Sequence, residues 1–244
     1  MQYLQNDVKN LGSILGIWAH PDDEAWSSAG LMKMALLNGQ KVGVITATKG
    51  DAGETADPKL WPKEKLAEIR TKEMADCLSE IGDIEHHWLD YADGKLAEAD
   101  EEVAVEQIAE LIKMFKPSTV VTFEPNGITG HDDHRTISRW TTLAVEKADS
   151  SIQILHSVES QEKYDLAGEI LDREHNIFFN IEKPFLVKEN DVSVLLKLDS
   201  EVLDSKIRCM KAHASQTSKL FADKNGQKMV NIMASTECFL QVRI

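Results

Sequence analysis

At 244 residues the chain can bury a full core, and a composition of 42% hydrophobic and 28% charged residues excludes the low-hydrophobicity signature of disorder. The formal net charge of -14, from 27 basic and 41 acidic side chains, argues against nucleic acid as a partner, because phosphate-binding surfaces concentrate Lys and Arg on one face. The first 20 residues lack the pattern of a secretory signal, and no apolar run approaches the roughly 20 residues that cross a bilayer. Cys77, Cys209 and Cys238 are too few and too scattered for a disulfide framework, which fits a reducing compartment. The expectation is a soluble cytoplasmic protein with no membrane partner.

Apolar runs bounded by turn residues alternate with segments of helical period, the signature of a parallel sheet covered by helices. Residues 13–19 form a short buried strand ending at His20-Pro21, and a helix follows over 23–38, where Trp26, Ala29, Gly30, Met34 and Leu37 recur at three- and four-residue steps. Gly39 ends it. Residues 41–48 are a second strand, and the polar, Gly-rich stretch 49–62 is a loop of the length that is often functional.

A helix over 64–81 leads to a third strand at 84–89, and a helix over 100–115 stops at Lys116-Pro117. The β-branched run 118–123 is a fourth strand, 124–130 a loop, 131–148 a helix and 152–158 a fifth strand. Beyond about Gln161 the pattern changes to an alternating stretch at 176–181, a strand at 192–198, a helix at 201–214 and a last strand at 237–243. The whole reads as one domain over 1–244: a Rossmann-like three-layer α/β/α sandwich with a mainly parallel sheet, the last part extending the same sheet.

In an open α/β sheet, sites form outside the carboxyl ends of the strands. Two loops leave such ends with dense ligand-type residues: His20-Pro21-Asp22-Asp23-Glu24, and His131-Asp132-Asp133-His134. A catalytic zinc takes three N or O ligands and an open position for water, which His20, Asp23 and His134 supply without a cysteine. Two His and one carboxylate also suit ferrous iron. Asp22 and His131 are then left beside the metal as general base and as stabiliser or proton donor, with Asp133 holding the His131 ring. Each cluster alone is equally a turn in which an aspartate caps the following helix; two of them at strand ends make coincidence a poor explanation.

These residues carry a resemblance. Ala19-His20-Pro21-Asp22-Asp23-Glu24 and Gly130-His131-Asp132-Asp133-His134 resemble the A-H-P-D-D-E and G-H-x-D-H motifs of the PIG-L/LmbE family of zinc-dependent N-acetylglucosaminyl deacetylases. Thr48 to Gly53 resembles its T-x-G-E-x-G loop, with Asp51 for the usual Glu. Arg70 with Glu73, the Tyr91-Ala92-Asp93-Gly94 turn, and a late segment with His213, Ser215 and Gln216 are similar as well.

The resemblance implies the same metal and base residues, substrate contacts by Arg70 and Asp93, and hydrolysis of an N-acetylglucosamine-type small molecule. Two departures stand out. Asp132 replaces a common Pro, a charge that could raise the basicity of His131, and Thr129 stands where some relatives carry an oxyanion-binding Tyr. His213 by itself reads as packing or capping. Alternatives are an amidase acting on a thiol conjugate or another acylated amine, and a non-catalytic sugar-binding module; homo-oligomerisation stays open.

Overall fold

The computed structural model describes residues 2–3, 5–178, 180–222 and 224–242. Apolar, β-branched runs become strands buried on both faces: β2 (Ile14–Trp18, after the two-residue β1, Gln2–Tyr3), β3 (Val42–Thr48) and, later, β5 (Thr119–Phe123). Such continuous burial is the mark of central parallel strands covered by helices. Between them lie α1 (Asp23–Ser27), α2 (Ala29–Leu37), α3 (Leu66–Ile81), β4 (Glu85–Tyr91) and α4 (Glu101–Phe115). After β5 come α5 (Asp132–Ala148), β6 (Gln153–Ser160), β7 (Leu186–Val187), β8 (Val194–Lys197), α6 (Ser200–Ala212), α7 (Lys224–Ala234) and β9 (Thr236–Val242).

The sheet runs β1-β8-β9-β6-β5-β2-β3-β4, with β7 beside the end of β6. Its pairings are parallel except those of β9, which runs antiparallel to both β6 and β8. Helices α2, α3 and α6 pack together, and α4 packs on α5. The expected mainly parallel α/β architecture is therefore the one observed. Strands β2 and β5 are adjacent, so the loops leaving their carboxyl ends emerge side by side, and the site is built there.

Three expectations are corrected. The helix over 23–38 is two helices broken at Ser28, because the second has its own N-terminus: the backbone N–H groups of Gly30 and Leu31 donate to the buried Glu237 carboxylate at 2.8 Å each. Lys206 neutralises Glu237 at 2.6 Å. The alternating stretch at 176–181 is not a strand where it is described. Asn176 adopts the left-handed region (φ 53°) as the cap of a short helix, Glu169–His175, and Ile181 closes a turn on Phe178; Phe179, and Arg243 of the strand expected over 237–243, lie outside the described residues. Third, the scattered cysteines do pair: α3 packed on α6 joins Cys77 to Cys209 in a disulfide, leaving Cys238 free and buried. Among the described residues no helix is long and apolar enough to cross a membrane.

Candidate metal centre and active site

Strand β2 ends at Trp18, and the chain turns sharply through His20, Pro21 and Asp22 into α1. Asp22 sits in the left-handed region (φ 102°, ψ -25°), a conformation that costs a non-glycine residue about 1–3 kcal/mol and persists only where the surroundings fix it. This turn lets the Asp23 carboxylate fold back to accept the His20 backbone N–H at 2.7 Å, so both side chains face the same point. From the end of β5, the Glu124 carboxylate collects the N–H groups of Asn126 and Ile128 and shapes the loop that leads to α5. His134 stands one turn into α5 and is buried.

The three expected metal ligands converge. His20 Nδ1 lies 3.1 Å from His134 Nε2 and 3.7 Å from an Asp23 oxygen, and His134 Nε2 lies 3.3 Å from the other Asp23 oxygen. Ligands about 2.0–2.1 Å from one tetrahedral ion stand roughly 3.3 Å apart, so the set fits a single divalent cation. The outward nitrogens are held as metal-bound imidazoles usually are. His20 Nε2 meets Asp133 at 3.2 Å and Asp93 at 3.0 Å, while His134 Nδ1 faces the Gly127 carbonyl at 3.0 Å and Thr129 Oγ1 at 3.3 Å.

The electrostatics point the same way. Burial disfavours a charged His20, yet hydrogen bonds to Asp133 and Asp93 and the Asp23 charge outweigh it and push its pKa up to about 10. Burial, opposed by Arg70 and His20 respectively, raises Asp22 and Asp23 to about 6. Burial and the neighbouring His20 charge hold His134 well below its ordinary value. Four carboxylates, Asp22, Asp23, Asp93 and Asp133, stand against the charged His20 and Arg70, an excess of negative charge that a divalent ion would balance.

Asp22 does not point into the ligand set as a fourth member but lies against Arg70, whose Nη2 donates to its Oδ1 at 3.1 Å and to the Pro21 carbonyl. Arg70 Nη1 also donates to Gly50 O at 2.8 Å. Gly50 is required here: its φ is +66°, and a Cβ would run into the guanidinium. Arg70 is thus buried and engaged with Asp22, and Asp93 accepts from Ala52 N at 2.6 Å besides meeting His20.

Two details differ from the sequence reading. The contact between Asp133 and His131 runs from the Asp133 backbone N–H to His131 Nδ1 at 3.1 Å, a helix cap, while the Asp133 carboxylate collects Gly94 N, Leu96 N and the His20 ring. Asp132 is exposed and pairs with Arg135 at 3.3 Å, and the His131 pKa is lowered, first by burial and then by His20, not raised by Asp132.

Sequence reasoning missed the partners behind the site. Glu24 is fully buried, with one oxygen on the Asp22 N–H at 3.2 Å and the other 2.9 Å from His213 Nε2. Ser215 donates its N–H and its hydroxyl to Glu73, each at 2.7 Å. Gly127, at φ +74°, lies where a Cβ would stand 2.7 Å from that of His134. The polar run after β2 and the late H-x-S-Q segment were the available signals; their pairing was not written in either. Glu24, Cys77 and His213 also bring ligand-type atoms within 4.8 Å of one another, but the Cys77 sulfur is bonded to Cys209.

Fold and site together define a Rossmann-like α/β protein with a candidate mononuclear metal centre at the carboxyl edge of its sheet. The family model described as GlcNAc-PI de-N-acetylase (PIG-L) matches residues 15–145, and the chain belongs to that family. It is 28% identical over 256 residues, covering 94% of this chain and 95% of the relative, to a 1D-myo-inositol 2-acetamido-2-deoxy-alpha-D-glucopyranoside deacetylase from Saccharomonospora viridis. Among solved structures it resembles the N,N'-diacetylchitobiose deacetylase of Pyrococcus horikoshii (TM-score 0.65, 22% identity, 99% of this chain and 87% of that one). The fold is also similar to that of the 4-carboxy-2-hydroxymuconate hydratase GalB from Pseudomonas putida (TM-score 0.64, 15% identity, 95% and 96% covered), so the fold alone does not specify the reaction.

Proposed function

We propose that the chain is a zinc-dependent N-deacetylase that releases acetate from an N-acetylglucosamine-type substrate. The observation that carries this reading is the convergence of His20 Nδ1, Asp23 and His134 Nε2 with a second carboxylate, Asp22, held apart beside them. A divalent ion in that set, zinc or ferrous iron, supplies a Lewis acid for the acetyl carbonyl and the attacking water. Membership of a de-N-acetylase family and a full-length relative that deacetylates an amino sugar support the substrate class.

The chain's own residues supply the proton chemistry. Asp22 accepts the proton of the attacking water; burial places its pKa at about 6, close to the range in which a base at neutral pH is most effective. His131 has Nδ1 committed as an acceptor, so its neutral ring carries the proton on Nε2 and can donate to the oxyanion as it develops. Asp22 or His131 then returns a proton to the leaving amine. A carboxylate has about four lone-pair sites, so Asp93 keeps acceptor capacity for a sugar hydroxyl beyond its two protein bonds. Arg70 contributes chiefly through Asp22 and the Pro21 carbonyl.

Metal analysis and acetate release on two variants test the assignment. Asp22→Ala should keep one equivalent of zinc and lose about 10²–10⁴-fold in kcat. His134→Ala should lose the metal. Equal zinc loss in both variants, or no acetate release by the wild type from any of a panel of N-acetylglucosaminides, contradicts the proposal. A panel that includes thiol-conjugated amino sugars and simple acylated amines separates a deacetylase from an amidase of broader scope.

A further inference from the structure

We infer that His213 and Glu24 are positioning residues for the base: a pair buried behind the metal site that fixes the strained turn at Asp22. The inference rests on the reading of Asp22 as that base. Asp22 has a backbone conformation that L side chains rarely adopt, at φ 102°, so its carboxylate stays in place only if the turn is held from outside. Two groups hold it. Arg70 grips the Pro21 carbonyl and the Asp22 carboxylate, and Glu24 accepts the Asp22 backbone N–H at 3.2 Å.

Glu24 in turn depends on His213. It is fully buried, and a buried carboxylate is tolerated only with donors or a countercharge at hand. His213 Nε2, 2.9 Å from Glu24 Oε1, is its long-range partner, 189 residues away in sequence. The other neighbour of that oxygen is Cys77 Sγ at 3.3 Å, a sulfur already bonded to Cys209. Without the imidazole, Glu24 would have reason to swing away and release the Asp22 N–H.

His213 is itself set rigidly. It ends α6, and its carbonyl accepts the N–H groups of Gln216 and Thr217. Two residues on, Ser215 donates twice to Glu73, one helical turn along α3 from Arg70. The same late segment reaches the loop over the site, where Ser215 O accepts from Ala56 N at 2.7 Å and Gln216 Nε2 donates to Glu54 O at 3.2 Å. At 0% exposure, His213 cannot touch a substrate, so its influence passes through Glu24.

The test is steady-state kinetics on zinc-loaded wild type, His213→Ala, His213→Gln and Glu24→Gln, with acetate release from an N-acetylglucosaminide, zinc content and thermal unfolding measured on each. Displacing a base by about an ångström lowers turnover by about 100-fold. H213A should therefore keep one zinc and a KM within about threefold while kcat falls by about that factor. H213Q, which restores an N–H donor, should recover at least about tenfold of the loss. A kcat for H213A within about threefold of wild type overturns the inference, as does a loss confined to KM or to zinc content, or an H213Q no better than H213A.

Should H213A fail to fold, E24Q decides: a folded, zinc-loaded E24Q with lowered kcat supports the role, and wild-type kcat overturns it. A wild type without any acetate release sinks the deacetylase reading instead. In that case the crystal structure of E24Q beside wild type still decides the positioning role, since an Asp22 unmoved at positive φ and still on Arg70 overturns it.

Discussion

The part of the chain from β2 to β6 and the part that follows divide the work unequally. The first is a run of parallel strands whose carboxyl ends deliver His20, Asp22, Asp23, His131 and His134 to one edge. The second, with its antiparallel β9 and helix α6, places none of the proposed metal ligands but provides the anchors behind them: His213 on Glu24, Ser215 on Glu73, and Lys206 with Glu237 at the start of α2. Chemistry sits where strand ends leave backbone and side chains free to converge, and rigidity comes from buried polar pairs that a distant segment supplies.

This division can be broken by substitutions of decreasing effect on activity. His20→Ala removes a ligand and should bring zinc content and acetate release below detection. Asp133→Asn leaves the ligand set intact but takes a carboxylate from His20 Nε2, so titration with a competing chelator should show metal affinity about 10–100-fold weaker. Gly50→Ala forces a Cβ into the Arg70 guanidinium and should lower kcat by about an order of magnitude with zinc retained, as the clamp on Asp22 shifts.

Lys206→Met removes an anchor that the second region supplies to α1 and the start of α2. It leaves Glu237 buried without its cation and should cost about 3–5 kcal/mol in chemical denaturation, while kcat per folded molecule stays within about twofold. A loss of turnover in folded K206M as large as that of G50A would show that this anchor, like His213, positions the base and does not serve stability alone.

The same contrast explains what the sequence disclosed. Strands β2, β3 and β5 are continuously buried runs, and the ligand-type clusters are short, local and placed at strand ends, so periodicity and ligand chemistry read them directly. The sequence marks Asp133 as a site residue, but which ring it serves depends on how Gly94 and Leu96 present their N–H groups, and that follows from packing rather than from spacing. The Glu24–His213 and Cys77–Cys209 pairs join residues 189 and 132 positions apart, beyond any local pattern. The insertion of β9 between β6 and β8 is equally nonlocal, since an alternating strand looks the same whichever neighbours it takes. The short helices between residues 161 and 175, one stretch of them a π-helix, contain Gly168 and present no steady amphipathic period, so they were not foreseen.

The most direct measurement is anomalous diffraction at the zinc edge from crystals of the metal-loaded protein. A single peak bounded by His20 Nδ1, the Asp23 carboxylate and His134 Nε2, with Asp22 beyond bonding distance of the ion and resting on Arg70, is the predicted result. A peak elsewhere in the chain, or an ion that takes Asp22 as a ligand in place of Asp23, would contradict it.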